Sequence, residues 1–131
     1  MTTKPTTAAS GLGRIGQVSL SIRDVARAEQ FYGSTLGLPH VFTFGELAFF
    51  DAGGTRLYLH RKDPDAWTPS SILYFEVDDI HARQEALAAA GVRFTGAPHR
   101  IHTHDDGTEE WMTFFEDGEG NTLALMSRIS P

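Results

Sequence analysis

The segment Val18-Ser-Leu-Ser-Ile-Arg-Asp24-Val25 decides the fold of this chain, because a second segment repeats its pattern. Leu73-Tyr-Phe-Glu-Val-Asp-Asp79-Ile80 has the same apolar positions and the same aspartate, 55 residues further along. Two further pairs of segments correspond at offsets of 65 and 66: Ala48-Phe-Phe-Asp51 with Thr113-Phe-Phe-Glu116, and Leu57-Tyr-Leu59 with Leu123-Ala-Leu125. A period near 55 is too long for a solenoid unit. It predicts a small α+β module present twice, with about ten extra residues in the second copy.

The length of 131 residues is typical of one domain, and a single module of about 55 residues would be marginally stable alone. Residues 1–12 are small and polar without periodicity, so we expect a flexible tail. Residues 13–131 then form a single domain of two modules, at about 14–61 and 71–128. The connector between them, residues 62–70, carries two prolines.

Composition excludes several classes of function. The net charge is −6 and the 11 basic residues are scattered, which argues against binding to nucleic acid or to an acidic membrane surface. The absence of cysteine excludes disulfides, thiolate chemistry and zinc–thiolate sites. No apolar run is long enough to span a bilayer, and the N-terminus lacks the apolar core of a secretory signal. We therefore expect a cytoplasmic protein.

Hydrophobic periodicity predicts the elements of the first module. Residues 15–22 end in strict alternation of apolar and polar side chains, which is typical of a half-buried strand. Asp24 is a good N-cap for an amphipathic helix over residues 25–36, and Gly37 is suited to end that helix. Three short strands follow, at residues 41–44, 46–51 and 56–61.

The second module repeats this order. A strand at residues 72–77 precedes a helix at residues 80–90, and Gly91 ends the helix. The remaining strands are predicted at residues 92–94 extending toward 101, at 110–116 and at 122–127. Each module is therefore βαβββ, and the fold class is α+β.

Two βαβββ modules with these motifs resemble the vicinal oxygen chelate superfamily, the group of glyoxalase I, bleomycin resistance protein and extradiol dioxygenases. The resemblance rests on the first strand ending in aspartate, on Phe31-Tyr32 before Leu36-Gly-Leu-Pro39, and on the closing Phe114-Phe-Glu-Asp-Gly-Glu-Gly-Asn-Thr-Leu-Ala-Leu125. It covers roughly residues 14–128. The resemblance implies an open curled barrel that encloses a cavity for a small molecule. It also implies a homodimer whose subunits share or exchange modules.

Superfamily members that use a metal place ligands on the first and last strands of both modules. Carried onto this chain, the first-strand positions are Gln17 and Ile72, and the last-strand positions are Tyr58 and Ala124. Some glyoxalases use glutamine at the first position, where the other three positions supply carboxylates or imidazoles. One neutral amide among isoleucine, tyrosine and alanine does not hold a divalent cation. We therefore expect no metal at the family positions and no cofactor.

Alternation from these positions predicts the face that lines the cavity. It consists of aromatic residues, methionines and a few polar groups, a composition typical of a small-molecule pocket. The predicted ligand-binding residues are Gln17, Ser19, Tyr58, His60, Tyr74, Met112, Phe114 and Met126, and Ser21, Arg56, Ile72, Glu76, Glu110, Thr122 and Ala124 share the face. The alternative for Met112, Phe114 and Met126 is ordinary core packing.

The extra residues of the second module contain three of the six histidines, in the run His99-Arg-Ile-His102-Thr-His104. Alternation places His102 and His104 on one face, and a turn at residues 105–107 would bring Glu109 or Glu110 across from them. Two imidazoles and a carboxylate could hold zinc, nickel or iron. The alternative is a polar hairpin tip whose histidines contact only water.

Two residues of this region are candidates for acid–base chemistry. His99 precedes the hairpin tip and is expected to point into the cavity, where it could act as a general base or a hydrogen-bond partner. Glu110 is the candidate carboxylate. We assign both as potential catalytic residues if the protein is an enzyme.

Three functions remain open at this point. The first is a metal-free protein that binds a small aromatic or largely apolar molecule. The second is a lyase, isomerase, epimerase or dioxygenase whose displaced ligands come from His60, His99, His102, His104 and Glu110. The third is an accessory dimer without catalysis. Fold alone does not decide among them, because this scaffold carries many chemistries.

Overall fold

The computed structural model describes residues 11–68 and 71–131. Most of the expected tail, residues 1–10, and residues 69 and 70 of the expected connector lie outside these ranges. No helix within the described ranges is long and apolar enough to cross a membrane. The described chain contains two four- to five-stranded sheets that remain separate, so the barrel is open.

The first module contains four strands and one helical stretch. Its elements are β1 (Gln17–Ile22), α1 (Val25–Glu29), a π-helical segment (Gln30–Thr35), β2 (His40–Phe44), β3 (Leu47–Ala52) and β4 (Thr55–Arg61). The first sheet has the order β1-β4-β3-β2, in which β1 is parallel to β4 and the other pairs are antiparallel. Although β4 is the last strand of the module, it pairs with the first strand, β1, which lies at one edge of the sheet.

The second module has the same order with one extra strand. Its elements are β5 (Leu73–Glu76), α2 (Ile80–Ala89), β6 (Arg93–Phe94), β7 (His99–Thr103), β8 (Glu109–Glu116) and β9 (Thr122–Ile129). The second sheet has the order β5-β9-β8-β6, and β7 pairs with the other half of β8. The parallel pair β5 and β9 corresponds to β1 and β4. The α+β fold class predicted from the sequence is confirmed.

Two elements differ from the pattern predicted from the sequence. The helix expected over residues 25–36 is α-helical only as far as Glu29, and the π-helical segment that follows brings consecutive Phe31 and Tyr32 onto the core. The strand expected from residue 92 toward 101 is divided into β6 and β7. Pro98 lies at this break, and proline has no backbone N–H to donate to a strand ladder.

One apolar core extends through both modules and covers one face of each sheet. Leu20 and Ile22 of β1 are 1% and 0% exposed, as their alternation with polar residues predicts. The other large core side chains are Tyr32, Phe50, Leu57, Leu59, Ile80, Phe115, Leu123 and Leu125. Because core residues come from both halves of the chain, each module buries its apolar face with help from the other.

The closing turn after β8 joins the second module to the first through a buried carboxylate. Glu119 is 0% exposed and accepts hydrogen bonds from the backbone N–H groups of Arg23 at 2.7 Å and Asp24 at 2.8 Å. Its other oxygen forms an ion pair with Arg27 of α1, and this pair raises the pKa of the guanidinium. Buried carboxylates are tolerated only when their oxygens are paired in this way.

Asp117 and Asn121 of the same turn complete the connection. Asp117 is 2% exposed, and its Oδ2 accepts a hydrogen bond of 2.7 Å from the hydroxyl group of Tyr32. Burial and the neighbouring Asp117 carboxylate raise the pKa of Tyr32 well above its ordinary value. The Asn121 amide donates to the carbonyl oxygen of Ser21 at 2.8 Å. These contacts position β1 of the first module relative to the second sheet.

Candidate functional site

Each sheet has one face on the core and one open face. In β4, Leu57 and Leu59 are buried on the core face. Arg56 alternates with them and is exposed on the opposite face. The register pairs Gln17 with Arg56, and Ser19 with Tyr58. The predicted ligand-binding residues of the first module, Gln17, Ser19, Tyr58 and His60, therefore lie on one open face.

Four aromatic rings stack along this open face and form what we call the aromatic ladder: Phe42, Phe49, Tyr58 and His60. The ring centroids of Phe42 and Phe49 are 4.4 Å apart with an interplanar angle of 25°. Those of Phe49 and Tyr58 are 4.9 Å apart at 6°, and those of Tyr58 and His60 are 5.7 Å apart at 21°. Neighbouring strands in register bring aromatic side chains close enough to stack.

Arg56 places a positive charge on this face. Its guanidinium carbon lies 5.9 Å from the ring centroid of Phe42 and 5.5 Å from that of Phe49, within the range of a cation–π contact. Within residues 11–68 and 71–131, Arg56 forms no ion pair with a carboxylate. Its charge is therefore not neutralised by a described side chain.

Phe42 and Phe49 share the open face of the first sheet, although the sequence did not place them among the residues that line the cavity. Alternation within the strands at residues 41–44 and 46–51 is the signal that could have placed them on this face. Arg56 was placed on the cavity face but not among the ligand-binding residues. The stacking itself depends on the register between strands, which one strand's alternation does not determine.

The open face of the second sheet carries the remaining predicted ligand-binding residues. Tyr74 is 44% exposed, and its ring lies 5.9 Å from that of Phe114 at an interplanar angle of 76°. Met112 pairs with Met126 across β8 and β9 and with His99 across β7 and β8. Met112, Phe114 and Met126 are half-buried and are not members of the apolar core cluster.

The hairpin of β7 and β8 brings His104 to Glu110. The distance between His104 Nε2 and Glu110 Oε2 is 2.8 Å, and Arg128 Nε lies 3.7 Å from the same oxygen. The hydrogen bond with His104 lowers the pKa of Glu110. His102 pairs with Glu110 in the strand register, and its ring centroid is 4.6 Å from that of His104. The described residues contain no group of three histidine, aspartate or glutamate side chains placed to hold a metal ion.

The two candidate catalytic residues lie on the same hairpin but do not pair with each other. His99 pairs with Met112 in the strand register, and its ring lies 6.4 Å from that of Phe114. Glu110 has His104 as its hydrogen-bond partner instead. The described geometry thus links Glu110 to the hairpin tip and His99 to the aromatic residues of the open face.

The four family metal positions do not fit a divalent cation. Tyr58 is stacked within the aromatic ladder, and Ala124 is fully buried opposite Tyr74 and Phe114. Ile72 is 41% exposed and apolar, which leaves the Gln17 amide as the one metal-binding type among them. A divalent cation needs several oxygen, nitrogen or sulfur ligands, and this set supplies too few.

A separate cleft of about 630 Å³ lies on the helical side of the molecule. We call it the helix-side cleft. It is lined by Arg27, Phe31, Arg93, Asp117 and Asn121, among others. Asp117 and Asn121 are already engaged in the hydrogen bonds that join the two modules. This cleft is therefore bounded by structural contacts, and the residues predicted to bind a ligand lie elsewhere.

Comparison with known proteins identifies the family. The model of the glyoxalase/bleomycin resistance protein/dioxygenase superfamily matches residues 14–125, and the chain belongs to this superfamily. The resemblance found in the sequence is thereby confirmed. Among proteins with curated descriptions, no sequence match reaches significance.

Several solved structures share the fold. A protein from the mobile metagenome of V. Pseudocholerae has a TM-score of 0.72 and 22% identity, with coverage of 89% of this chain and 95% of that chain. A virulence protein from Salmonella typhimurium has a TM-score of 0.71 and 21% identity, with coverage of 90% and 98%. Lactoylglutathione lyase from Agrobacterium tumefaciens has a TM-score of 0.64 and 23% identity, with coverage of 88% and 94%. At these identities the likeness shows the fold alone.

Proposed function

We propose that the protein binds a small, aromatic or largely apolar molecule against the open faces of its two sheets. The aromatic ladder carries this proposal, because it presents stacked rings on a face that the core does not cover. Tyr74 and Phe114 extend the aromatic surface on the second sheet. Exposed aromatic surface combined with a few polar groups is typical of a binding site.

The proposed binding needs no metal at the family positions. Gln17, Tyr58, Ile72 and Ala124 lack the carboxylates and imidazoles that a divalent cation requires. The bound molecule would instead be held by ring stacking and by hydrogen bonds from Gln17 and Ser19. We also propose that the protein is cytoplasmic. The chain has no cysteine, so its folding does not depend on an oxidising compartment.

We further propose a homodimer in which the open faces of two copies enclose the bound molecule. The outer strands support the association of two copies. Every residue of β2 and β7 is exposed, and Phe44 and Ile101 are 73% and 48% exposed. Exposed strands with apolar side chains are prone to pair with another chain. Light scattering coupled to size exclusion tests this: a monomer at micromolar concentration would contradict it.

Thermal-shift measurements with a panel of aromatic drugs and metabolites test the binding function. We expect at least one compound to raise the melting temperature of the wild-type protein, since a ligand that binds the folded state stabilises it. The shift should fall in Tyr74→Ala and persist in Arg83→Ala, which alters an exposed residue of α2. No stabilisation by any compound would favour the accessory dimer instead.

One observation favours an enzyme as the second candidate. The 2.8 Å contact of His104 with Glu110 places an imidazole beside a carboxylate, a pairing that could serve acid–base chemistry in a lyase, isomerase or dioxygenase. Metal analysis after dialysis separates the two candidates. A stoichiometric transition metal that is lost in His99→Ala or His102→Ala would contradict the binding protein. Its absence, together with thermal-shift hits, would contradict a metal-dependent enzyme.

A further inference from the structure

Three rings of the aromatic ladder cross the sheet from strand to strand, and the next strand, β1, carries no ring to extend this series. Phe42, Phe49 and Tyr58 come from the successive strands β2, β3 and β4. Their spacings of 4.4 and 4.9 Å match the separation of neighbouring strands, about 4.8 Å. The next strand is β1, where the residue in register with Tyr58 is Ser19. Ser19 is exposed, and its side chain is too short to cover a ring.

We propose that a flat aromatic ring of the ligand occupies the space above Ser19 and stacks on Tyr58 as the next ring of the ladder. This inference rests on the proposed binding function and adds the place and the chemical class of the ligand. Among the described residues, the ring partners of Tyr58 are Phe49 on β3 and His60 further along β4. Neither lies on β1. One strand spacing also matches the separation preferred by stacked aromatic rings.

Arg56 and Gln17 define one end of this space and favour an anionic ligand. Arg56 precedes Tyr58 by two residues on the same face, and Gln17 is its partner in the strand register. Asp51 faces Arg56 from β3, on the side away from β1, and its Oδ1 accepts the Gly54 N–H at 3.0 Å. The guanidinium lies over the rings of Phe42 and Phe49, on the β3 side of β4, and forms no ion pair with a described carboxylate. To bind a carboxylate of the ligand, the exposed Arg56 side chain would turn from these rings toward Gln17.

These positions also limit the size of the ligand. Two residues along a strand span about 6.6 Å, which is the separation between the ring above Ser19 and an acid group beside Arg56 and Gln17. A bicyclic aromatic system with one carboxylate covers that length. The ligand class is therefore a planar aromatic acid with two fused rings or an equivalent length.

Calorimetric titration with three matched probes tests both features. The probes are 2-naphthoate, the uncharged 2-naphthol and the saturated decahydro-2-naphthoate. We expect 2-naphthoate to bind most tightly and the saturated acid to bind roughly 3- to 10-fold more weakly, because it cannot stack. The substitution Arg56→Gln should reduce the affinity for 2-naphthoate about tenfold more than the affinity for 2-naphthol, because only the carboxylate of the acid can pair with the guanidinium.

Substitution at Ser19 tests the location. Ser19→Phe adds the missing ring from the protein itself and should abolish 2-naphthoate binding. Ala89→Phe adds the same ring to an exposed position of α2 and should leave binding unchanged. Tyr58→Leu should weaken binding more than Tyr58→Phe, because only phenylalanine preserves the stack. Circular dichroism of each variant shows whether its fold is intact.

Several results would overturn the inference. Unchanged 2-naphthoate binding in Ser19→Phe would exclude the space above Ser19, and equal affinity for the saturated acid would exclude stacking. Equal losses for both aromatic probes in Arg56→Gln would exclude the carboxylate contact. If thermal-shift hits disappear in Tyr74→Ala but persist in Ser19→Phe, the proposed function stands and this inference fails. If neither the probes nor the panel bind, both fail.

Discussion

Replacement of Glu119 by alanine should be the most damaging single change in the closing turn. The carboxylate is fully buried and accepts two backbone hydrogen bonds, from Arg23 at 2.7 Å and from Asp24 at 2.8 Å. A hydrogen bond to a charged group contributes about 1.5–3 kcal/mol to stability. Two such bonds predict a loss of about 3–6 kcal/mol in the free energy of unfolding, a large part of the total for a small domain.

Arg27→Ala is the matched control, because it removes the third partner of Glu119 and leaves the backbone contacts in place. The Arg27 side chain is 57% exposed, so solvent screens the ion pair. Because Glu119 is fully buried, Arg27→Ala leaves one carboxylate oxygen without this partner, and we expect a loss of about 1–3 kcal/mol, smaller than that of Glu119→Ala. Together the two variants separate the backbone hydrogen bonds of Glu119 from its ion pair.

Urea denaturation followed by circular dichroism measures both losses. The protomer concentration must be the same for every variant, because the stability of a dimer depends on concentration. The reasoning would be refuted if Glu119→Ala cost less than about 1 kcal/mol, the range of an exposed pair. It would also be refuted if Arg27→Ala cost as much as Glu119→Ala.

Two further predictions concern the closing turn and the histidine hairpin. Gly120→Ala should destabilise the protein more than Gly118→Ala does. Both glycines have positive φ, but only at Gly120 would an added Cβ lie 2.7 Å from the Trp67 ring. The urea midpoints of the two variants give the comparison. His104→Ala should raise the pKa of Glu110 toward its ordinary value, as followed by carbon NMR. Because the pKa of Glu110 is lowered in the folded state, the contribution of this carboxylate to stability is present above its unfolded-state pKa and is lost as pH falls through the folded-state pKa. An unchanged Glu110 pKa in His104→Ala would contradict His104 as the cause of the lowered pKa.

The duplicated fold could be predicted because its signal is local. Alternation in β1 separates buried Leu20 and Ile22 from exposed Gln17 and Ser19, and the same pattern recurs 55 residues later. The helix caps were equally readable: Asp24 accepts the Arg27 N–H, as its position before the helix predicts. Such features depend on neighbouring residues, and one sequence contains them in full.

The features that were missed depend on contacts between distant parts of the chain. The sequence around Asp117 and Glu119 reads as a polar turn, yet both carboxylates are buried. The backbone partners of Glu119, Asp24 and Arg23, lie 95 and 96 residues away in the sequence, and no local sequence pattern predicts these contacts. The aromatic ladder was missed for the same reason, since stacking of Phe49 on Tyr58 requires the register between β3 and β4.

A crystal structure of the protein grown with 2-naphthoate tests the binding proposal most directly. We predict ring density on the open face of the first sheet, parallel to Tyr58 and above Ser19, with the carboxylate toward Arg56. Density for the ring in the helix-side cleft, among Arg27, Phe31 and Asn121, with both open faces empty, would contradict it.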